Sequence, residues 1–131
     1  HVSATVYNHE VLLTGQASSL AQRFKIVRTA KDFDSVQKVY DYVEVSSKYV
    51  STSTEDTYIT SKVKSSLFGN GDINSNDVKI VTANSVVYIL GIIDKSQLKN
   101  MVEVTRSIDG VKKVVPLVHY KDNDSKLNLF N

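Results

Sequence analysis

The stretch DVKIVTANSVVYILG, residues 77–91, decides the fold, because a degenerate copy of it opens the chain. The copy is HVSATVYNHEVLLTG, residues 1–15, aligned so that Gly15 lies over Gly91. The matched positions are Val2 and Val78, Ala4 and Ile80, Asn8 and Asn84, and Val11 and Val87. Each copy has an alternating strand, a short polar turn and a second apolar run that ends in glycine. The pattern predicts a β-hairpin in each half of the chain.

A second pair of segments extends the repeat. FDSVQKVYDYVEV, residues 33–45, matches IDGVKKVVPLVHY, residues 108–120, after a slip of one residue. In both copies, apolar residues at helical spacing lie between the hairpin and this last strand, and Ser18 and Asp94 are suitable caps for the two helices. A short turn forces an antiparallel pair, whereas a strand-helix-strand crossover favours a parallel one. Each copy therefore predicts a mixed sheet.

A further helix is predicted only in the second copy. TEDTYITSKVKSSLF, residues 54–68, begins with Thr54 as a cap and has two acids in its first turn, which suit the helix dipole. Its apolar residues Ile59, Val63 and Leu67 recur at intervals of four and mark the face that packs on the sheet. The matching helix of the first copy would lie before His1.

The sequence thus predicts an α/β protein of the α+β type, with two small tandem αββαβ domains. Each domain should have a three-stranded mixed sheet packed by helices, and the first should lack its N-terminal helix. The expected boundaries are residues 1–46 for the first domain, 47–54 for the linker, 55–121 for the second domain and 122–131 for a flexible tail. The linker is short and lacks glycine and proline, which indicates that the two domains touch.

Composition excludes several kinds of function. Sixteen Lys and Arg against fourteen Asp and Glu give a net charge of +2, which does not favour nucleic acid. The chain has no cysteine, so disulfides, thiolate metal sites and thiol nucleophiles are excluded. His1, His9 and His119 do not have metal-ligand spacing, and no glycine-rich loop suggests a phosphate cofactor. We therefore expect no metal, no cofactor and no partner nucleic acid.

His9 and Glu10 could begin an acid/base site, and a hydrolase using this pair is the least favoured hypothesis. The second copy has Ser85 and Val86 at the same two places and keeps the rest of the hairpin pattern. The fold therefore does not need the pair, and a hairpin turn explains its position.

Two further patterns suggest binding sites but have simpler structural explanations. Asp72, Asn74 and Asn76 have the D-x-N-x-N spacing of a calcium loop, but Asp77 replaces the turn glycine and Ala83 the bidentate glutamate. A polar loop between a helix and a strand explains the same residues. Aromatic residues on or beside the final strands could stack on nucleic-acid bases, although acidic neighbours disfavour this. They are Tyr40, Tyr42, Tyr49 and Tyr120.

The segments DVKIVTANSVVYILG and SIDGVKKVV, with a helix between them, resemble the BON domain, a family found in bacterial envelope proteins. The resemblance covers residues 55–120 and, more weakly, residues 2–45. It implies a non-enzymatic outer-membrane lipoprotein of the periplasm, lipid-anchored in its full-length form, that supports outer-membrane integrity. A two-residue hairpin turn favours positive φ at the position where the family has glycine, so the replacement of this glycine by His9 and by Ser85 should each cost on the order of 1 kcal/mol.

EDTYITSKVKSSL, residues 55–67, is similar to a BON helix that binds anionic phospholipid through an aromatic residue at its start. The resemblance implies that Tyr58 inserts at the membrane interface, that Ile59 and Val63 hold the helix, and that Lys62 and Lys64 attract anionic headgroups. From the residues alone, a solvated helix face explains the same pattern. The alternative function is a protein-protein interaction module that docks an envelope partner without lipid contact. The sequence does not indicate an oligomeric state.

Overall fold

A computed structural model describes residues 1–121 as two successive units of helices and strands. The first unit consists of β1 (Val2–Tyr7), β2 (Glu10–Ala17), α1 (Leu20–Lys31) and β3 (Lys38–Val45). The second consists of α2 (Ser53–Phe68), β4 (Val78–Ala83), β5 (Val86–Ile93), a 3-10 turn (Lys95–Gln97), α3 (Leu98–Arg106) and β6 (Lys113–Tyr120). The predicted α+β fold is confirmed. The flexible tail expected at residues 122–131 lies outside the described residues.

Each unit contains one three-stranded mixed sheet, as predicted. The central strand pairs antiparallel with the strand before it and parallel with the strand after it, giving the orders β1-β2-β3 and β4-β5-β6. Val2 lies opposite Gly15, and Val78 lies opposite Gly91. The residues aligned in the sequence therefore hold the same register in both sheets.

Both hairpin turns have positive φ at two residues that are not glycine. The angles are 50° and 65° at Asn8 and His9, and 50° and 64° at Asn84 and Ser85. Two successive residues with positive φ define the type I′ turn, whose twist matches that of the flanking strands. Asparagine and histidine adopt this conformation more readily than most residues with a side chain, whereas Ser85 is strained in it. The positive φ predicted at these two positions is confirmed.

The glycine that ends each repeated stretch is required by a close backbone contact. At Gly91 φ is 149°, and an added Cβ would lie 2.2 Å from the carbonyl oxygen of Asp77. At Gly15 φ is 108°, and an added Cβ would lie 2.1 Å from the carbonyl oxygen of His1. No side chain fits at either distance, so the central strand passes the start of its neighbour only with glycine at this position.

Two helices begin at residues other than those predicted. The cap of α1 is Ser19, whose Oγ accepts from the backbone N–H of Gln22 at 3.1 Å, whereas Ser18 donates its backbone N–H to the Gln22 side chain. The cap of α2 is Thr52, so the predicted start at Thr54 is two residues late. Both errors are small because serine or threonine occurs at several neighbouring positions, and spacing alone cannot choose among them.

Apolar residues form one cluster in each unit, on the sheet face that carries the helices. In the second unit the helices are α2 and α3, and the buried residues are Ile59, Val63, Leu67, Ile73, Val78, Ile80, Val87, Ile89, Ile93 and Met101. In the first unit the helix is α1, and the buried residues are Val11, Leu13, Ala17 and Val43. The smaller cluster reflects a sheet covered by one helix instead of two.

A third cluster joins the two units through the opposite sheet faces. Leu12, Tyr88 and Leu90 are buried together, with partly buried apolar residues from both sheets around them. Successive residues of a strand point to opposite faces, so Val11 and Leu13 contact α1 while Leu12 contacts the second unit. The two sheets therefore pack against each other, which explains why the central strands are apolar on both faces.

Candidate functional site

One face of α2 packs on its sheet and the opposite face meets solvent. Ile59, Val63 and Leu67 are buried, as their spacing predicts. Tyr58 is 57% exposed, and the Nζ atom of Lys62 lies 5.4 Å from the centroid of its ring. A cation at this distance is attracted to the face of the ring. The structure therefore brings one exposed aromatic ring and one ammonium group together.

The remaining charges of α2 lie at different angles around the helix. At roughly 100° per residue, Lys64 lies about 120° around the helix axis from Tyr58, whereas Glu55 lies about 60° from it. Lys64 and Glu55 are both exposed. The face centred on Tyr58 thus has one cation, Lys62, and one anion, Glu55, with a second cation on its flank.

The five residues that the resemblance assigns to lipid binding have two different environments. Tyr58, Lys62 and Lys64 face solvent, whereas Ile59 and Val63 belong to the core of the second unit. Ile59 and Val63 therefore do not reach a membrane. They hold the helix on the sheet, so that the opposite face remains outward.

Asp56, which the sequence interpretation treated only as a first-turn acid, holds the second hairpin. Its carboxylate accepts from the backbone N–H groups of Asn84 and Ser85 at 2.9 and 2.8 Å, and from the Thr52 hydroxyl at 2.6 Å. Asp56 is only 8% exposed. A charged acceptor for both turn amides stabilises the strained type I′ turn and ties it to the start of α2. The signal in the sequence is an acid three residues before Ile59, on the buried side of the helix.

Glu10 connects the two units. Its Oε2 atom lies 2.8 Å from Nε2 of His119, and its Oε1 atom accepts from the Tyr40 hydroxyl at 3.1 Å. Burial, together with the Glu10 carboxylate and this hydrogen bond, raises the pKa of Tyr40 to about 12. His9 is exposed in the turn, so the histidine beside Glu10 comes from the other unit. Both carboxylate oxygens are used in structural contacts, and the acid/base pair suggested by neighbouring residues in the sequence does not form.

Of the four tyrosines suggested as a stacking platform, three make hydrogen-bond or ring-ring contacts within the protein, and Tyr120 has the Lys95 ammonium 5.9 Å from its ring centroid. Tyr40 bonds to Glu10, and Tyr42 packs against Tyr88 with ring centroids 5.1 Å apart. Tyr49 stacks on His1 at 3.6 Å. The rings of Tyr40 and Tyr42 therefore lie at the junction between the units, whereas Tyr49 packs beside the start of β1.

In the calcium-like loop, the side-chain oxygen of Asn74 and that of the preceding Asn70 bond locally. The Asn70 side chain accepts from the backbone N–H of Asp72 at 3.1 Å, and the Asn74 side chain accepts from that of Asn76 at 2.9 Å. These contacts are Asx turns, which shape a loop without any ion. Within residues 1–121, His, Asp and Glu do not form a group of three suited to a metal ion.

None of the helices in the described range is long and apolar enough to cross a bilayer.

Comparison with known proteins identifies the two units. The family model of the BON domain matches residues 1–47 and again residues 55–122. The chain is 34% identical over 122 residues to the outer membrane lipoprotein DolP of Haemophilus influenzae, covering 92% of this chain and 63% of that protein.

Two further relatives have similar coverage. The 21 kDa hemolysin of Actinobacillus pleuropneumoniae is 29% identical over 91% of this chain and 62% of its own length. The osmotically-inducible protein Y of Escherichia coli is 32% identical over 79% of this chain and 54% of its own length. The chain thus spans less than two thirds of each of these relatives. With two successive matches to one family model and the same order of strands in each, the chain belongs to the BON domain family.

Proposed function

We propose that this protein is a non-enzymatic component of the bacterial envelope that binds anionic phospholipid through the outward face of α2 and thereby supports outer-membrane integrity. The observation that carries the proposal is the exposed Tyr58 ring with the Lys62 ammonium held 5.4 Å from its centroid. The similarity to an outer membrane lipoprotein supports the location. The outer membrane, on its periplasmic side, is the site that we propose.

The geometry suits the interfacial region of a bilayer. A tyrosine ring is apolar over most of its surface and polar at its hydroxyl, so it is stable at the level of the headgroups. Lys62 lies beside the ring and would meet lipid phosphates at the same depth. Ile59 and Val63 fix the helix to its sheet, so the ring enters the membrane without unfolding the second unit.

Electrostatics predict weak, salt-dependent binding by α2 alone. Each lysine near an anionic surface contributes about 1 kcal/mol, so Lys62 and Lys64 together contribute on the order of 2 kcal/mol. Glu55 lies on the same face as Tyr58 and opposes part of this attraction. Stable residence on a membrane needs a second source of affinity, such as the lipid anchor implied by the resemblance.

Cosedimentation with vesicles tests the proposal. We expect binding to phosphatidylglycerol vesicles and much weaker binding to phosphatidylcholine vesicles. Tyr58→Ala and Lys62→Gln should weaken binding, and Glu55→Gln should strengthen it by about fivefold because a repulsive charge is removed. Tyr120 provides a matched control, since it is also exposed and has the Lys95 ammonium 5.9 Å from its ring centroid. Tyr120→Ala should leave binding unchanged.

The result also separates lipid binding from docking of a protein partner. Headgroup attraction weakens as salt screens it, whereas contact with an apolar protein groove depends little on salt. Absence of cosedimentation, or binding that is the same for Tyr58→Ala and the parent chain, would contradict the proposal and favour the protein-interaction hypothesis.

A further inference from the structure

The outward face of α1 exposes apolar and basic side chains together. Phe24 is 72% exposed and Leu20 is 60% exposed. They lie four residues apart, on one line along the helix with Arg28. Lys25 and Lys31 are exposed on the same half of the helix. We call these five residues the α1 face.

The second unit shows that the fold does not require the apolar members of this face. Ser19 caps α1. Asp94, as predicted, caps the 3-10 turn that leads into α3. Each cap accepts a hydrogen bond from the backbone N–H of the third residue after it. The residues that end the two helices, Asp32 and Ser107, are separated by the same number of positions as the two caps. The helices of the two units can therefore be compared residue by residue.

In this comparison, Leu20 corresponds to Lys95 and Phe24 corresponds to Lys99. Both lysines are exposed, although the second unit has its additional helix α2 in place. A helix packed as α2 is packed would therefore leave these two positions in solvent. The apolar side chains of the first unit occupy sites that the fold itself does not cover.

The charge of α1 is of one sign. Its sequence, LAQRFKIVRTAK, contains four basic residues and no acidic residue. Arg23 pairs with Asp41 at 2.9 Å, which leaves Lys25, Arg28 and Lys31 without an ion pair in residues 1–121. Basic residues in the last turn suit the helix dipole, but this does not explain the exposed apolar pair.

We propose that the α1 face is a second membrane-contact surface, which binds a bilayer with anionic headgroups. A bilayer surface offers phosphates for three cations and, a few ångströms deeper, an apolar layer for Phe24 and Leu20. Nucleic acid would satisfy the cations and leave the leucine in water. An acidic protein would need an apolar pocket shaped to this pair, whereas a fluid lipid surface adapts to it. This proposal does not depend on binding by α2.

Site-specific fluorescence tests it on the whole chain, which contains no tryptophan. Phe24→Trp places one probe on the α1 face, Tyr58→Trp places one on α2, and Tyr120→Trp is a control at an exposed site on neither face. We expect the emission of the Phe24→Trp probe to shift to shorter wavelength with phosphatidylglycerol vesicles and to stay unchanged with phosphatidylcholine vesicles. An unshifted Phe24→Trp probe at saturating phosphatidylglycerol would overturn the proposal, whatever the Tyr58→Trp probe does.

Affinity measurements on the same vesicles provide the second readout. Phe24→Gln should weaken binding by roughly five- to tenfold, and Lys25→Gln by about fivefold. Lys99→Gln removes one charge at the position of α3 that matches Phe24, and Val6→Gln removes an equally exposed apolar side chain from β1. Lys99→Gln should not weaken vesicle binding as Lys25→Gln does, and Val6→Gln should not weaken it as Phe24→Gln does.

The outcomes distinguish the two membrane surfaces. If Phe24→Gln weakens vesicle binding and Tyr58→Ala does not, the result supports the α1 face and contradicts the function proposed for α2. The opposite pattern would overturn the α1 proposal alone. If Phe24→Gln instead changes the elution volume in gel filtration and leaves vesicle binding intact, the face joins two copies of the chain and the membrane proposal is wrong.

Discussion

Replacing Asp56 by alanine should destabilise the second unit by about 3 kcal/mol. The carboxylate accepts three hydrogen bonds, two from the backbone of the strained hairpin turn and one from Thr52. Bonds to a charged acceptor contribute about 1.5–3 kcal/mol each. Asn84 is exposed, so in the variant its backbone N–H can bond to water, and the sum of three lost hydrogen bonds overstates the loss of stability. Two bonds at about 1.5 kcal/mol each give the expected loss of about 3 kcal/mol.

Urea unfolding followed by circular dichroism measures this loss. With a slope of about 1–3 kcal/mol per molar urea, the midpoint should fall by roughly 1–3 M. Asp56→Asn keeps one carbonyl oxygen and should lose about half as much. Glu55→Gln changes the neighbouring, exposed acid and should stay within about 0.5 kcal/mol of the parent chain. A loss below about 1 kcal/mol for Asp56→Ala would refute the conclusion that this carboxylate holds the turn.

Two further predictions concern the turns and the junction between the units. Ser85→Gly should raise the free energy of unfolding by about 0.5–1 kcal/mol, because glycine adopts the φ of 64° without strain; an unchanged thermal midpoint would contradict this. For Tyr40, burial and Glu10 raise the pKa to about 12 in the folded protein, above the ordinary value of about 10 in the unfolded chain. The stability that this raised pKa contributes is therefore complete below pH 10 and is lost as the pH rises toward 12. Over this range the urea midpoint should fall less for Tyr40→Phe than for the parent chain. Equal falls for the two proteins would show that Tyr40 ionisation does not weaken the junction.

The repeat made most of the fold predictable. Two copies of one pattern supply independent evidence for each element, so the mixed sheet of each unit and the positive φ at His9 and Ser85 could be derived from the sequence alone. The boundaries that failed, at Ser18 and Thr54, lie in runs of serine and threonine where several residues cap a helix equally well.

The site was only partly predictable. Helical spacing correctly separates the buried residues of α2 from the exposed Tyr58, because that separation depends on local geometry alone. The contacts of Asp56 with the hairpin turn and of Glu10 with His119 join residues far apart in the sequence. A single sequence has no periodicity that marks such pairs, and an acid in the first turn of a helix already has a sufficient explanation in the helix dipole.

The packing of the two sheets determines where this protein can meet a partner. Leu12, Tyr88 and Leu90 use the sheet faces that are free of helices to join the units, so the faces of the two central strands are covered on both sides. The outward surfaces of the helices, the outer strands, the turns and the linker remain accessible. An apolar side chain on the core side of a helix is explained by the fold, whereas one on the outward side is not. By this criterion Tyr58 on α2 and Phe24 on α1 are comparable, and the larger exposed apolar area, with more cations around it, lies on α1.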